Sequence, residues 1–288
     1  MSTTLTPSYG ATPTAAELEA KAQALKSAYK RKVYFWRTAI LVLMLGSWEL
    51  AARTEVIDPF RYAMPSAVGA RLYEWITEGT SEGSLWYNLW VTMEESFLGF
   101  FTGSVIGIVA GIALGRNQLA ADIFALYIKL INSIPRVVLA PIFTVIFGLG
   151  LASKVALSFI MVFFVVFANA FQGVREADKA MIANARILGA SDWQLTKSVI
   201  VPSAMSWIFA SLHVSFGFAI IGAIVGEFVG ARNGIGVLIS VAKGTFDSAG
   251  MFAAILIVMV VALAAEWVMT NLENRFAKWK PQASMDNQ

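Results

Sequence analysis

Residues 183–202 read ANARILGASDWQLTKSVIVP, a polar, mixed-charge stretch set between two long apolar runs. Asn184, Arg186, Asp192, Gln194 and Lys197 have no use in lipid, so the stretch belongs in water. Its local chemistry predicts defined structure. Residues 176–188 are rich in helix formers, with Met181, Ala185 and Leu188 at i, i+4 and i+7 giving a modest apolar face. Gly189 supplies the stop, because glycine takes the left-handed conformation that closes a helix cheaply. Ser191 and Gln194 stand at capping-box spacing, so a second helix starts at once, with Pro202 near its meeting with the membrane. Helix, elbow and helix together read as a docking handle for a partner protein.

Outward from this loop the chain is membrane-forming. Of 288 residues 57% are hydrophobic and 14% charged, and the mean hydropathy is +0.65; a soluble domain carries about a quarter charged residues. Residues 96–115, 137–153, 155–174, 198–226 and 248–265 contain no Asp, Glu, Lys or Arg, and residues 36–52 carry only Arg37 and Glu49. A bilayer core needs roughly 20 apolar residues as helix, and continuous rather than alternating runs exclude a barrel. An all-α bundle of six transmembrane helices is predicted. With the amino terminus inside, the inner segments hold fourteen Lys and Arg against six outside, which sets both termini and residues 172–198 in the cytoplasm. Lys129 and Arg136 then mark an amphipathic lead-in to the third span at the cytoplasmic surface.

The predicted organisation is a cytoplasmic segment over 1–35, a membrane domain over 36–280 and a cytoplasmic tail over 281–288. No apolar h-region precedes a cleavage site in the first 35 residues; Met1 to Pro13 reads as disordered, and Thr14 with Glu17 has capping-box spacing ahead of a helix. Absence of cysteine and a single histidine, His213, exclude disulfides, thiolate sites and multi-histidine metal centres. No catalytic residues, metal site or cofactor is expected in the chain, and a net charge of +3 gives no reason to expect nucleic acid as a partner.

Inside the spans, Gly99, Gly103, Gly107, Gly111 and Gly115 recur every four residues, as do Gly222, Gly226, Gly230 and Gly234. Small residues at this spacing let helix backbones approach, so the stripes read as packing surfaces. Pro135 and Pro141 bracket the start of the third span and predict a break or kink. Asn169, His213 and Glu227 are costly in lipid and are the candidate pathway residues; Glu227 sits at the outer end of its span.

Ala183-Asn184-Ala185, three residues, Gly189, nine residues and Val199-Ile200-Val201-Pro202 resemble the EAA loop of binding-protein-dependent ABC importer permeases, with Ala183 where that family has Glu. Ile134-Pro135 through Pro141, Phe147-Gly148-Leu149-Gly150 with Ser153-Lys154, and Gly226 to Ala231 with Gly234-Ile235-Gly236 are similar to the nitrate/sulfonate/taurine/bicarbonate type. The resemblance implies a type I permease of a bacterial inner membrane, paired with a second copy, cytoplasmic ATPase subunits and an extracytoplasmic binding protein. ATP and Mg would belong to the ATPase, since the chain has no Gly-x-x-x-x-Gly-Lys loop. The coupling residues it implies are Ala183, Asn184, Ala185, Gly189, Ala190, Ser191, Asp192, Trp193, Val201 and Pro202, with Trp193 as a knob into the ATPase. The implied cargo is a small anionic nutrient such as a sulfonate or nitrate, or else a vitamin precursor. A self-contained transporter would need an acidic relay in its central spans, and none is expected there.

Overall fold

The computed structural model describes residues 15–276. The expectations for Met1 to Pro13, the Thr14 cap and the tail over 281–288 fall outside the described residues. The chain divides into two units, Met1–Ser66 and Ala67–Gln288.

In the first unit, α1 (Ala15–Arg53) is one unbroken helix, so the predicted leader helix and first span are continuous. Glu49 near its end accepts from Arg53 Nε at 2.7 Å and from Ser66 N and Oγ at 3.0 and 2.8 Å. Asp58 caps the short α2 (Pro59–Tyr62) by accepting from Phe60 N.

The second unit is a helical bundle. α3 (Pro65–Thr77) leads to α4 (Leu85–Gly115), α5 (Gln118–Asn132), a 3-10 turn (Arg136–Leu139) and α6 (Ala140–Phe147). Then come α7 (Leu151–Arg175), α8 (Lys179–Ile187), α9 (Asp192–Leu195), α10 (Val201–Gly230), α11 (Ile235–Gly244) and α12 (Ser248–Phe276). Among the described residues five helices are long and apolar enough to cross a membrane, and counting the bent pair Gln118–Asn132 and Arg136–Phe147 as one span gives six, the number predicted.

α7 is the central helix, flanked by α4 and α10. A Cβ added at Gly103 would come within 2.9 Å of Phe159 O, and one at Gly111 within 2.7 Å of Phe167 O. The first glycine stripe is therefore the α4–α7 contact, where close backbone approach replaces the hydrophobic drive that lipid removes. Gly222 and Gly226 seat α10 against Ser158 and Lys154 on the other flank of α7. Both stripes are packing surfaces, as expected.

Two spans differ from the sequence expectation. α4 begins at Leu85 rather than Ser96, which draws Glu94 and Glu95 into the helix. Glu95 is buried there beside Glu227 and Lys154, so a carboxylate does not end the span. The third span is broken: α5 and the 136–147 segment meet at 77°. Pro135 has no N–H to continue the ladder and biases Ile134 away from helical backbone, and Gly148, at φ +78°, closes the other end.

Candidate functional site

The loop over 176–200 is structured by its own side chains. Asp178 caps α8 by accepting from Ala180 N at 2.7 Å. At the far end Gly189 takes φ +83°, with Gly189 N donating to Arg186 O and Ala190 N to Ala185 O, a Schellman closure. Ser191 Oγ accepts from Gln194 N while Gln194 Oε1 accepts from Ser191 N, completing the capping box that starts α9. Ahead of Pro202 the chain widens into a π turn over Thr196–Ile200, because the ring has no N–H to offer the preceding turn.

What the loop buries and what it shows differ sharply. Leu195 and Ile200 belong to a core cluster with Ala170 and Val174 of α7 and Ala204 and Ile208 of α10, and Ile182 and Ala185 of α8 pack on it. The elbow is thus bolted to the same helices that run the depth of the bundle. Outward it presents Met181, Ile187, Leu188 and Trp193, of which Leu188 is 86% and Trp193 71% exposed. The expected face of Met181, Ala185 and Leu188 is corrected here: α8 runs from Lys179 to Ile187, and its anchoring pair is Ile182 with Ala185. Ala183, Asn184, Gly189, Ser191 and Asp192 lie on the exposed side, and Ala190 and Val201 are half-buried.

At the opposite end of α7 and α10 lies a buried polar clamp that sequence reading did not assemble. The first three N–H groups at the start of α11 are each taken by a side chain from another helix. Gly234 N donates to Asn88 Oδ1 at 2.7 Å, Ile235 N to Thr92 Oγ1 at 2.9 Å, and Gly236 N to Glu227 Oε2 at 2.7 Å. Thr92 Oγ1 in turn donates to Glu227 Oε1 at 2.6 Å. Asn88 and Thr92 stand one turn apart on α4, and Glu227 closes α10, so the clamp ties α4, α10 and α11 together. Gly234 has φ +120°, and a Cβ there would collide with the Glu227 carboxylate.

Lys154, only 1% exposed, donates from Nζ to Leu149 O and Gly150 O, and lies beside both Glu95 and Glu227. A cleft of about 430 Å³ opens next to it, lined by Tyr87, Glu94, Glu95, Lys154, Arg232 and Asn233 among others. Glu227 itself is 1% exposed, so it is a clamp member and not a surface cap, and the expectation of acid-free spans is corrected with it. No single run contains this site. Glu95, Lys154 and Glu227 read along the chain as charges flanking apolar segments.

The three candidate pathway residues do not form one cluster. Asn169 is half-buried on α7 and donates to Val165 O at 2.8 Å, and His213 is half-buried on α10. Glu227 stands fourteen residues beyond His213, about 21 Å along the helix. Arg136 does not stand at an end of the bundle: its guanidinium carbon lies 5.2 Å from the ring centroid of Phe164, in the middle of α7. The break after Asn132 turns the chain and carries Arg136 there. Among the described residues no group of three or more His, Cys, Asp or Glu is placed to hold a metal ion.

A broken third span, a glycine-packed bundle and a capped helix–elbow–helix loop define a polytopic α-helical membrane protein of the transport-permease class. Residues 103–278 match the binding-protein-dependent transport system inner membrane component, and the chain belongs to that family. It is 31% identical over 240 residues to the riboflavin transport system permease protein RibX of Chloroflexus aurantiacus, covering 83% of this chain and 88% of that one. It is 26% identical to the taurine transport system permease protein TauC of Escherichia coli, over 83% and 87% of the two chains. The putative aliphatic sulfonates transport permease protein SsuC of Bacillus subtilis is 30% identical over 53% of this chain and 55% of its own. Among solved structures, the inward-facing MetNI methionine ABC transporter has the same fold, with a TM-score of 0.59 at 18% identity over 66% of this chain and 95% of that chain.

Proposed function

We propose that this chain is the transmembrane subunit of a bacterial ABC importer, and that its 172–198 loop docks on a cytoplasmic ATPase whose closure drives alternating access. The loop carries this reading. Its apolar Ile187, Leu188 and Trp193 face outward, while Ile182, Ala185, Leu195 and Ile200 fix the elbow to α7 and α10. A push on the exposed face therefore moves long helices rather than a slack connection. ATP and Mg belong to the ATPase, a second copy of the chain completes the membrane pathway, and an extracytoplasmic binding protein delivers cargo. On this reading both termini and the loop are cytoplasmic, 36–280 is the permease domain, and the clamp of Asn88, Thr92 and Glu227 faces outward.

The cargo is a small organic anion of the sulfonate type, a reading supported by the taurine and aliphatic-sulfonate relatives. A vitamin or its precursor is the second reading, favoured by the riboflavin relative and by the formylaminopyrimidine permease ThiX of Halalkalibacterium halodurans, 32% identical over 52% of this chain and 60% of its own.

The test is reconstitution of the chain with its ATPase and binding protein in vesicles. Trp193→Glu and Gly189→Pro should separate ATP hydrolysis from solute uptake while leaving the bundle folded. Unchanged uptake in both variants, or uptake by the wild-type chain without ATP, would overturn the reading.

A further inference from the structure

We propose that Arg136 is an anion-binding residue on the solute path at mid-depth of the membrane, where it takes the acidic group of a sulfonate or carboxylate cargo. This rests on the permease reading and names the chemistry of its pathway.

Depth comes first. Phe164, under the Arg136 guanidinium, stands about 20 Å along α7 from Leu151 and about 17 Å from Arg175. With a hydrocarbon core about 30 Å thick, the cation lies near the midplane, beyond the reach of lipid phosphates. A fixed cation at that depth faces protein or a water-filled cavity, because lipid cannot solvate it.

The protein satisfies this cation only in part. Its Nη2 donates to Asn132 Oδ1 at 2.7 Å, and Phe164 takes one face. The Nε is buried without an acceptor, and among the described residues no carboxylate pairs with the guanidinium. A guanidinium offers five donors in a planar fork that fits the paired oxygens of a carboxylate or sulfonate. The backbone context agrees. Arg136 opens the segment after the break in the third span, and broken helices at membrane depth are tolerated where they line a cavity.

The chain has no cysteine, so a single thiol can report the local field. Ser133 is exposed in the turn beside Asn132, and Ser133→Cys changes one atom. In the importer reconstituted with its ATPase and binding protein, this thiol is treated with 2-sulfonatoethyl methanethiosulfonate, an anion, and with the 2-(trimethylammonio)ethyl reagent, a cation. The expected result is reaction from water, with the anionic-to-cationic rate ratio raised about tenfold over the ratio the two reagents give with a free thiol, the effect of one unit charge at this range in partly aqueous surroundings. Arg136→Gln should abolish that preference, and Arg136→Lys should keep most of it.

No reaction at position 133, at rest or during ATP turnover, would overturn the proposal. So would a rate ratio with Arg136 intact no different from that of a free thiol, a result that does not depend on the folding of Arg136→Gln. A preference unchanged in Arg136→Gln would overturn it as well. Failure of the importer reading shows separately, as absence of ATP-driven uptake by the wild-type assembly.

Discussion

Thr92 Oγ1 donates to Glu227 Oε1 at 2.6 Å across 135 residues of sequence, and the same hydroxyl accepts the backbone N–H of Ile235. One side chain on α4 thus holds both the carboxylate that ends α10 and the start of α11. With the glycine contacts to α7, it packs α4, α7, α10 and α11 into a single block.

Thr92→Val should remove this double role at nearly constant volume. An Ile235 N–H loses its acceptor and the buried Glu227 carboxylate loses a donor, at a cost of about 1–3 kcal/mol. Thermal unfolding of the purified chain in detergent is the measurement. A stability equal to wild type would show that the clamp is not a tie.

Lys154→Met should be more damaging. It strips the ammonium from beside Glu95 and Glu227 and leaves Leu149 O and Gly150 O without their donor. Breaking a buried ionic group by removing one partner costs about 3–5 kcal/mol. Adding Glu95→Gln to Lys154→Met should recover part of the loss in the same unfolding assay, because one fewer acidic group then stands beside Glu227.

Glycines in the two settings should respond oppositely. Gly111→Val forces a side chain where a Cβ would already sit 2.8 Å from Ala170 Cβ, and should cost about 1–3 kcal/mol. Gly217→Ala, with nothing within 4 Å of its added Cβ, should be neutral or stabilise α10 by about 0.5–1 kcal/mol. Unfolding temperatures of the two variants, measured side by side, check the sign.

Ser191→Ala should loosen the elbow without unfolding the bundle. The capping box is worth about 1 kcal/mol, so amide exchange at Gln194 and Leu195 should quicken by about fivefold. Exchange unchanged at those two positions would mean that Leu195 and Ile200 alone hold the turn.

The sequence by itself determined the class and most of the local structure. Charge-free runs fix membrane helices because lipid cannot solvate charge or open backbone, and glycine recurring every four residues fixes a packing face. The Gly189 stop and the Ser191–Gln194 cap were legible because both act within a few residues. Only the tertiary structure decided where charges go. Asn88, Thr92, Glu95, Lys154 and Glu227 lie on three helices, and only the closed bundle brings them together beside the start of α11. Pro135 announced a break, yet the 77° turn that carries Arg136 to Phe164 depends on how the broken segment packs on α7. Local rules reach about one turn of helix. A buried polar site is solvated by partners more than a hundred residues away, and those partners exist only once the bundle has closed.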